Sequence, residues 1–142
     1  MAHTRFALAV HALALLASEP ERATSSALAD SARANATCLR RVLAPLTRAG
    51  LVMSVEGRDG GYALTRPAKD ITLAEVYNAI AGEPLFQFEL TQARQGCPIS
   101  RALAPTLMEI ADDAELRLTE ALSRRTVADV ASQIGLVSRW IT

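Results

Sequence analysis

Aromatic residues are scarce in this 142-residue chain: three Phe, two Tyr and one Trp. Ala and Leu must therefore fill any core, a diet that favours helices over sheets. Cysteine is scarcer still, with Cys38 and Cys97 alone. Two distant thiols make no disulfide framework, and a reducing cytoplasm is the natural expectation. No apolar run reaches the roughly 18 residues of a membrane span. The apolar opening, Met1 to Leu16, is broken by His3, Arg5 and His11 and carries no cleavage-site pattern, so neither a leader peptide nor a membrane partner is expected. His3 and His11 are too few for a metal site and too isolated for an acid–base pair; His11 reads as a partly buried helix residue. No Ser/His/Asp set, phosphate loop or HExxH motif occurs. An enzyme is not expected.

What is present is an apolar half (50%) with only 21% charged residues, which suits a packed core and excludes a disordered chain. The net charge is zero, but its distribution is uneven. Residues 1–67 hold eight Arg (5, 22, 33, 40, 41, 48, 58, 66) against five acids, net +3; the remainder is net −3. A basic first half suits a polyanion-facing module joined to one with another task. The expected division is 1–83 and 84–142.

Thr4 to Ser18 reads as a helix with Phe6, Val10, Leu13, Ala14 and Ala17 on one stripe, ended by Glu19-Pro20-Glu21. Thr24-Ser25-Ser26 offers caps for a short second helix to about Ala32. Asn35 caps a third, reaching Ala49 with Gly50 as its stop, and Pro45 is expected to kink or tighten its end. Leu51 to Val55 and Tyr62 to Leu64 read as two strands, joined by the turn residues Gly57-Arg58-Asp59-Gly60-Gly61. Thr72 and Glu75 form a capping box for a helix through Ala81, closed by Gly82. Residues 84–96 show no period and read as a loop. Leu103, Leu107, Ile110, Ala114, Leu118 and Ala121 then predict a long helix from Pro105 to Ser123, with Pro105 at its first position. A last short helix is expected from Thr126 to Ile134.

The fold class that follows is mainly α with a small β-hairpin: a winged helix-turn-helix domain plus a long helix. On the third helix Leu39, Val42, Leu43 and Leu46 form the buried stripe. Thr37, Arg40, Arg41, Ala44 and Arg48, at offsets 0, 3, 4, 7 and 11, form the opposite face. A helix in the major groove needs small residues for close approach and arginines that fork onto guanine or bridge phosphates. The amides after Asn35, and those after Thr24, Ser25 and Ser26, can meet phosphates. Arg58, at the wing tip, has the reach to enter a narrow minor groove.

The stretch Leu39 to Glu83, LRRVLAPLTRAGLVMSVEGRDGGYALTRPAKDITLAEVYNAIAGE, resembles the signature of the Rrf2 family of bacterial regulators. The combination Ala-Gly-Leu-Val, Gly-x-x-Gly-Gly, Leu-x-Arg-Pro and Ile-Thr-Leu carries the likeness, which extends over nearly the whole chain. The resemblance makes the long helix a dimerisation helix: it implies a homodimer with crossing long helices that binds double-stranded DNA at a near-palindromic operator. Some relatives hold an iron–sulfur cluster on three cysteines before the long helix; here only Cys97 occupies that region, so no cofactor and no metal are expected.

Cys97 precedes Pro98 near a helix start, where the dipole stabilises a thiolate. It reads either as a redox sensor or as a small hydrophobe beside the dimer helix. Cys38 reads as a packing residue, or as the partner of Cys97 from a second subunit. The expected function is a dimeric, sequence-specific transcriptional regulator, of repressor type, answering to thiol oxidation or a small ligand. The alternative is a winged-helix interaction module that does not read DNA.

Overall fold

A computed structural model describes residues 2–18, 22–81 and 97–141, with side chains from 5 to 135 within those limits. Helix α1 (Ala2–Ser18) is central. Ala9, Ala12, Leu13 and Leu16 turn inward at helical spacing and are fully or nearly fully buried. The expected stripe is displaced: Leu13 and Ala14 are buried, whereas Phe6, Val10 and Ala17 are only half-buried. The reason is packing on several sides, since α1 touches every other helix of the winged domain, the second strand and the last helix. Small alanines permit that close approach.

Helix α2 (Ser25–Ala32) starts where the Thr24 hydroxyl accepts the Ala27 amide at 3.1 Å. It ends on Arg33 in the left-handed region (φ 49°), an unusual place for a side chain. Helix α3 (Ala36–Arg48) starts where the Asn35 side chain accepts the Cys38 amide at 2.8 Å. Its stripe of Leu39, Val42, Leu43 and Leu46 is buried as its spacing predicts. Pro45 removes one ladder hydrogen bond, yet the helix continues to Arg48. Gly50, at φ 74°, then reverses the chain: its amide and that of Leu51 reach back to Thr47 and Leu46.

Strands β1 (Val52–Val55) and β2 (Gly61–Leu64) pair antiparallel, with Val52 opposite Leu64 and Val55 opposite Gly61. Each lies within one residue of its expected limits. A 3-10 turn (Ala68–Asp70) leads to buried Ile71 and helix α4 (Leu73–Ile80). The Thr72–Glu75 capping box is formed in both directions, at 2.9 and 3.2 Å. Arg66 ties the end of the wing to this cap through an ion pair with Glu75 and a 3.0 Å bond to the Asp70 carbonyl. The Thr72 amide foremost, and Arg66 besides, hold the Glu75 carboxyl below its ordinary value against a smaller effect of burial.

The long helix needs correction. Helix α5 (Pro98–Ser123) has 26 residues and begins on Pro98, not Pro105, which lies inside it. Two prolines compete for the first position, and the helix tolerates the second at the loss of one hydrogen bond. The last helix, α6 (Val127–Ile141), also outruns its expected end at Ile134. Between them the chain doubles back and pairs with the entry to α4. The Leu73 amide meets the Arg125 carbonyl, and the Val127 amide meets the Ile71 carbonyl, each at 2.9 Å. A second capping box, Thr126 with Asp129, stands beside the first. Buried Val127 carries α6 into the common core, where it packs on α1 while α5 packs on α4. The expected loop over 84–96 and the stop at Gly82 lie outside the described residues.

Candidate nucleic-acid interface

Helix α3 carries no acidic residue. Burying its leucine stripe forces Thr37, Arg40, Arg41, Ala44 and Arg48 outward, and all five are exposed. Among the described residues none of the three arginines has an ion-pair partner, so their charge is available to a ligand. Thr24, Ser25, Ser26 and Asn35 are exposed at the starts of α2 and α3. The side chains of Thr24 and Asn35 are engaged as caps, which leaves the first amides of each helix pointing outward.

The wing is held against α2 by a contact that sequence patterns do not announce. Ala23 pairs with Tyr62 as an added strand residue, at 3.1 and 2.8 Å. Gly61 makes this approach possible: a Cβ there would stand 2.7 Å from the Ala23 carbonyl oxygen. A groove of about 380 Å³ results, bringing Thr24 and Ser25 beside Arg58 and Tyr62. Across the wing a larger groove, about 800 Å³, is lined by Arg22, Thr24, Arg58 and Arg66. Arg22 and Arg66 were invisible as site residues: Glu19 and Glu21 precede Arg22 in sequence and mask its charge, and only the Ala23 pairing sets it by the wing.

The two cysteines are free and far apart in role. Cys38 is exposed on α3, which corrects its expected packing position: it stands about a quarter turn around the helix from the middle of the Leu39, Val42, Leu43 and Leu46 stripe, at its open flank. Cys97 is half-buried as the residue before α5. The amide and hydroxyl of Ser100 and the amide of Ile99 hold its thiol below the usual cysteine range, against a small effect of burial. His11 is also corrected. It is exposed, and its Nε2 lies 3.0 Å from the Ser31 hydroxyl, joining α1 to α2.

The arrangement is a positively charged helix next to a hairpin wing, on a scaffold matched by a known family model. That model, described as Rrf2, iron-dependent transcriptional regulator, covers residues 2–133. The chain belongs to the Rrf2 family. It is a DNA-binding transcriptional regulator, not an enzyme. YffB of Lactococcus lactis, a helix-turn-helix regulator by name, is 30% identical over 93% of this chain and 91% of its own length. A solved structure from Lactobacillus plantarum, described as a transcriptional regulator, matches with TM-score 0.80 at 24% identity, covering 95% of this chain and 91% of that one. CymR, the global cysteine regulator of B. subtilis, matches with TM-score 0.65 at 23% identity, covering 92% and 95%. These likenesses support the winged fold.

The family description raises iron, and the donor set can be tested against it. A cluster takes about four ligands, usually thiolates. This chain has two cysteines in all, one on α3 and one before α5, and among the described residues no three His, Cys, Asp or Glu gather around a common point. The two cysteines of one chain, on separate elements, fall short of the roughly four thiolates that such a cluster usually takes. Among the described residues, no helix is long and apolar enough to cross a membrane.

Proposed function

We propose that this Rrf2 regulator works in the cytoplasm as a homodimeric, sequence-specific repressor that binds a near-palindromic operator without a metal or cluster. The observation that carries the reading is the acid-free outer face of α3, with Arg40, Arg41 and Arg48 unpaired among the described residues, next to a wing that presents Arg58. Thr37, Arg40 and Arg41 would meet base edges and phosphates in the major groove, and Arg58 the minor groove. Helix N-termini at α2 and α3 would seat phosphates.

The homodimer is supported by α5. At 26 residues it spans about 39 Å, yet it has no buried residue. Ile99, Leu103 and Ile110 share one stripe at offsets 0, 4 and 11 and are 74%, 41% and 60% exposed. A second copy of the same helix is the occupant that matches an apolar stripe of this length and gives two-fold symmetry to the reading heads. Rotation of the pair would alter the separation of the two α3 helices, which must match the roughly 34 Å repeat of the duplex.

Signal input is assigned to the thiols or to a small ligand. Two thiols, Cys97 of one subunit and Cys38 of the other, can give two electrons and two protons to hydrogen peroxide, forming one S–S bond and two waters. Non-reducing electrophoresis after peroxide treatment tests this: a cross-linked dimer that is lost in Cys97→Ser is expected, and its absence removes the disulfide. DNA binding is tested by gel shift on the region upstream of the protein's own coding sequence. Wild type is expected to prefer it over a scrambled duplex, and Arg40→Ala to lose that preference. Equal binding of both duplexes by wild type would overturn sequence-specific reading.

A further inference from the structure

The chain entering α2 runs extended past the wing, so Ala23 faces inward, at 6% exposure, while Arg22 and Thr24 face the same outer groove. Arg58 reaches that groove from the wing, and among the described residues Asp59 is its one lining carboxylate. Arg66 is also there, but its guanidinium is committed to Glu75 and to the Asp70 carbonyl. Arg22 and Arg58 have no ion-pair partner among the described residues. Two guanidiniums with no ion-pair partner among the described residues thus line one open channel of about 800 Å³, fixed relative to each other by the Ala23–Tyr62 pairing and by the close approach at Gly61.

We propose that Arg22 is a positioning residue for DNA: it takes a backbone phosphate flanking the minor groove that Arg58 enters, clasping the duplex from the outer side of the wing. The assignment rests on the DNA-reading function proposed above and extends its footprint to the connection between α1 and α2. A phosphate contact fixes orientation and carries no sequence information, so its loss should weaken every duplex alike. Each neutralised phosphate also contributes a slope of about −0.9 to the dependence of log affinity on log salt.

The experiment is a fluorescence-anisotropy titration of labelled upstream duplex and of a scrambled duplex, from about 50 to 200 mM salt, with wild type, Arg22→Gln, Arg22→Lys and Arg40→Ala. Arg22→Gln is expected to shallow the salt slope by about one per bound subunit on both duplexes, leaving their affinity ratio unchanged. Arg22→Lys should restore the slope, because a point charge suffices for a phosphate. Arg40→Ala should change the ratio. An unchanged slope in Arg22→Gln overturns the assignment while leaving the DNA reading intact, and so does a changed ratio. Failure of wild type to bind either duplex overturns both. Inorganic phosphate that weakens wild-type binding no more than chloride at equal ionic strength is expected; strong selective competition would make the groove a small-anion site and overturn the assignment to DNA.

Discussion

Leu39 and Arg40 are neighbours with opposite tasks, and substitution separates them. Leu39 is fully buried among the leucines of α3 and its surroundings, so Leu39→Ala should cost about 2–5 kcal/mol in urea unfolding. Arg40 is exposed and has no ion-pair partner among the described residues; Arg40→Ala should move stability by less than about 0.5 kcal/mol. Its cost is expected in DNA preference. Glu75 offers a further check at this scale. Its carboxyl is held below the ordinary value by the Thr72 amide and by Arg66, so it contributes stability above the unfolded carboxylate range. That contribution is lost as pH falls through the lowered native value. Wild type should therefore melt higher than Glu75→Gln at neutral pH, and the gap should close in acid. Asp129, lowered mainly by the Thr126 amide, adds to the same acid loss. A gap that persists unchanged to pH about 3 would contradict this assignment.

Among the elements, those bounded by local chemistry were legible in the sequence. Thr24, Asn35 and Thr72 each mark a helix start because a short side-chain oxygen satisfies an amide three residues on. The buried stripe of α3 follows from spacing alone. Elements whose limits depend on distant partners were not legible. Pro98 and Pro105 are equally good first residues by local rules, and only the completed helix distinguishes them. Pairing of Ala23 with Tyr62, and of Thr72 with Thr126, joins residues 39 and 54 positions apart, beyond any local pattern. The outer face of α3 was legible because burial of its leucines leaves one direction for the arginines. Arg22 was not, because its place depends on the Ala23 pairing. That pairing is itself testable. Gly61→Ala puts a methyl 2.7 Å from the Ala23 oxygen at φ 150°, and it should destabilise the wing by about 1–3 kcal/mol. DNA affinity should fall with it, since Arg58 loses its fixed support; an unchanged melting temperature would contradict the close approach.

For the whole molecule, the arrangement links the winged helices to a long helix with an exposed apolar stripe through a short paired strip. The corner between α5 and α6 bonds directly to the entry of α4, whose cap holds Arg66 at the base of the wing. The base of α5 is thus joined to the wing by backbone hydrogen bonds and the Arg66–Glu75 ion pair. The proposed pairing of α5 predicts that Ile110→Asp, a charge on an exposed stripe, leaves the fold intact but halves the mass measured by light scattering from about two copies of 15.2 kDa to one. A variant that stays dimeric would place the interface elsewhere. The most direct test of the central claim is selection of wild-type protein against a pool of random duplexes. The account predicts enrichment of an inverted repeat whose half-sites lie one helical turn, or a multiple of about 10–10.5 base pairs, apart. A recovered pool with no shared motif would contradict it and would leave the winged fold a role other than reading sequence.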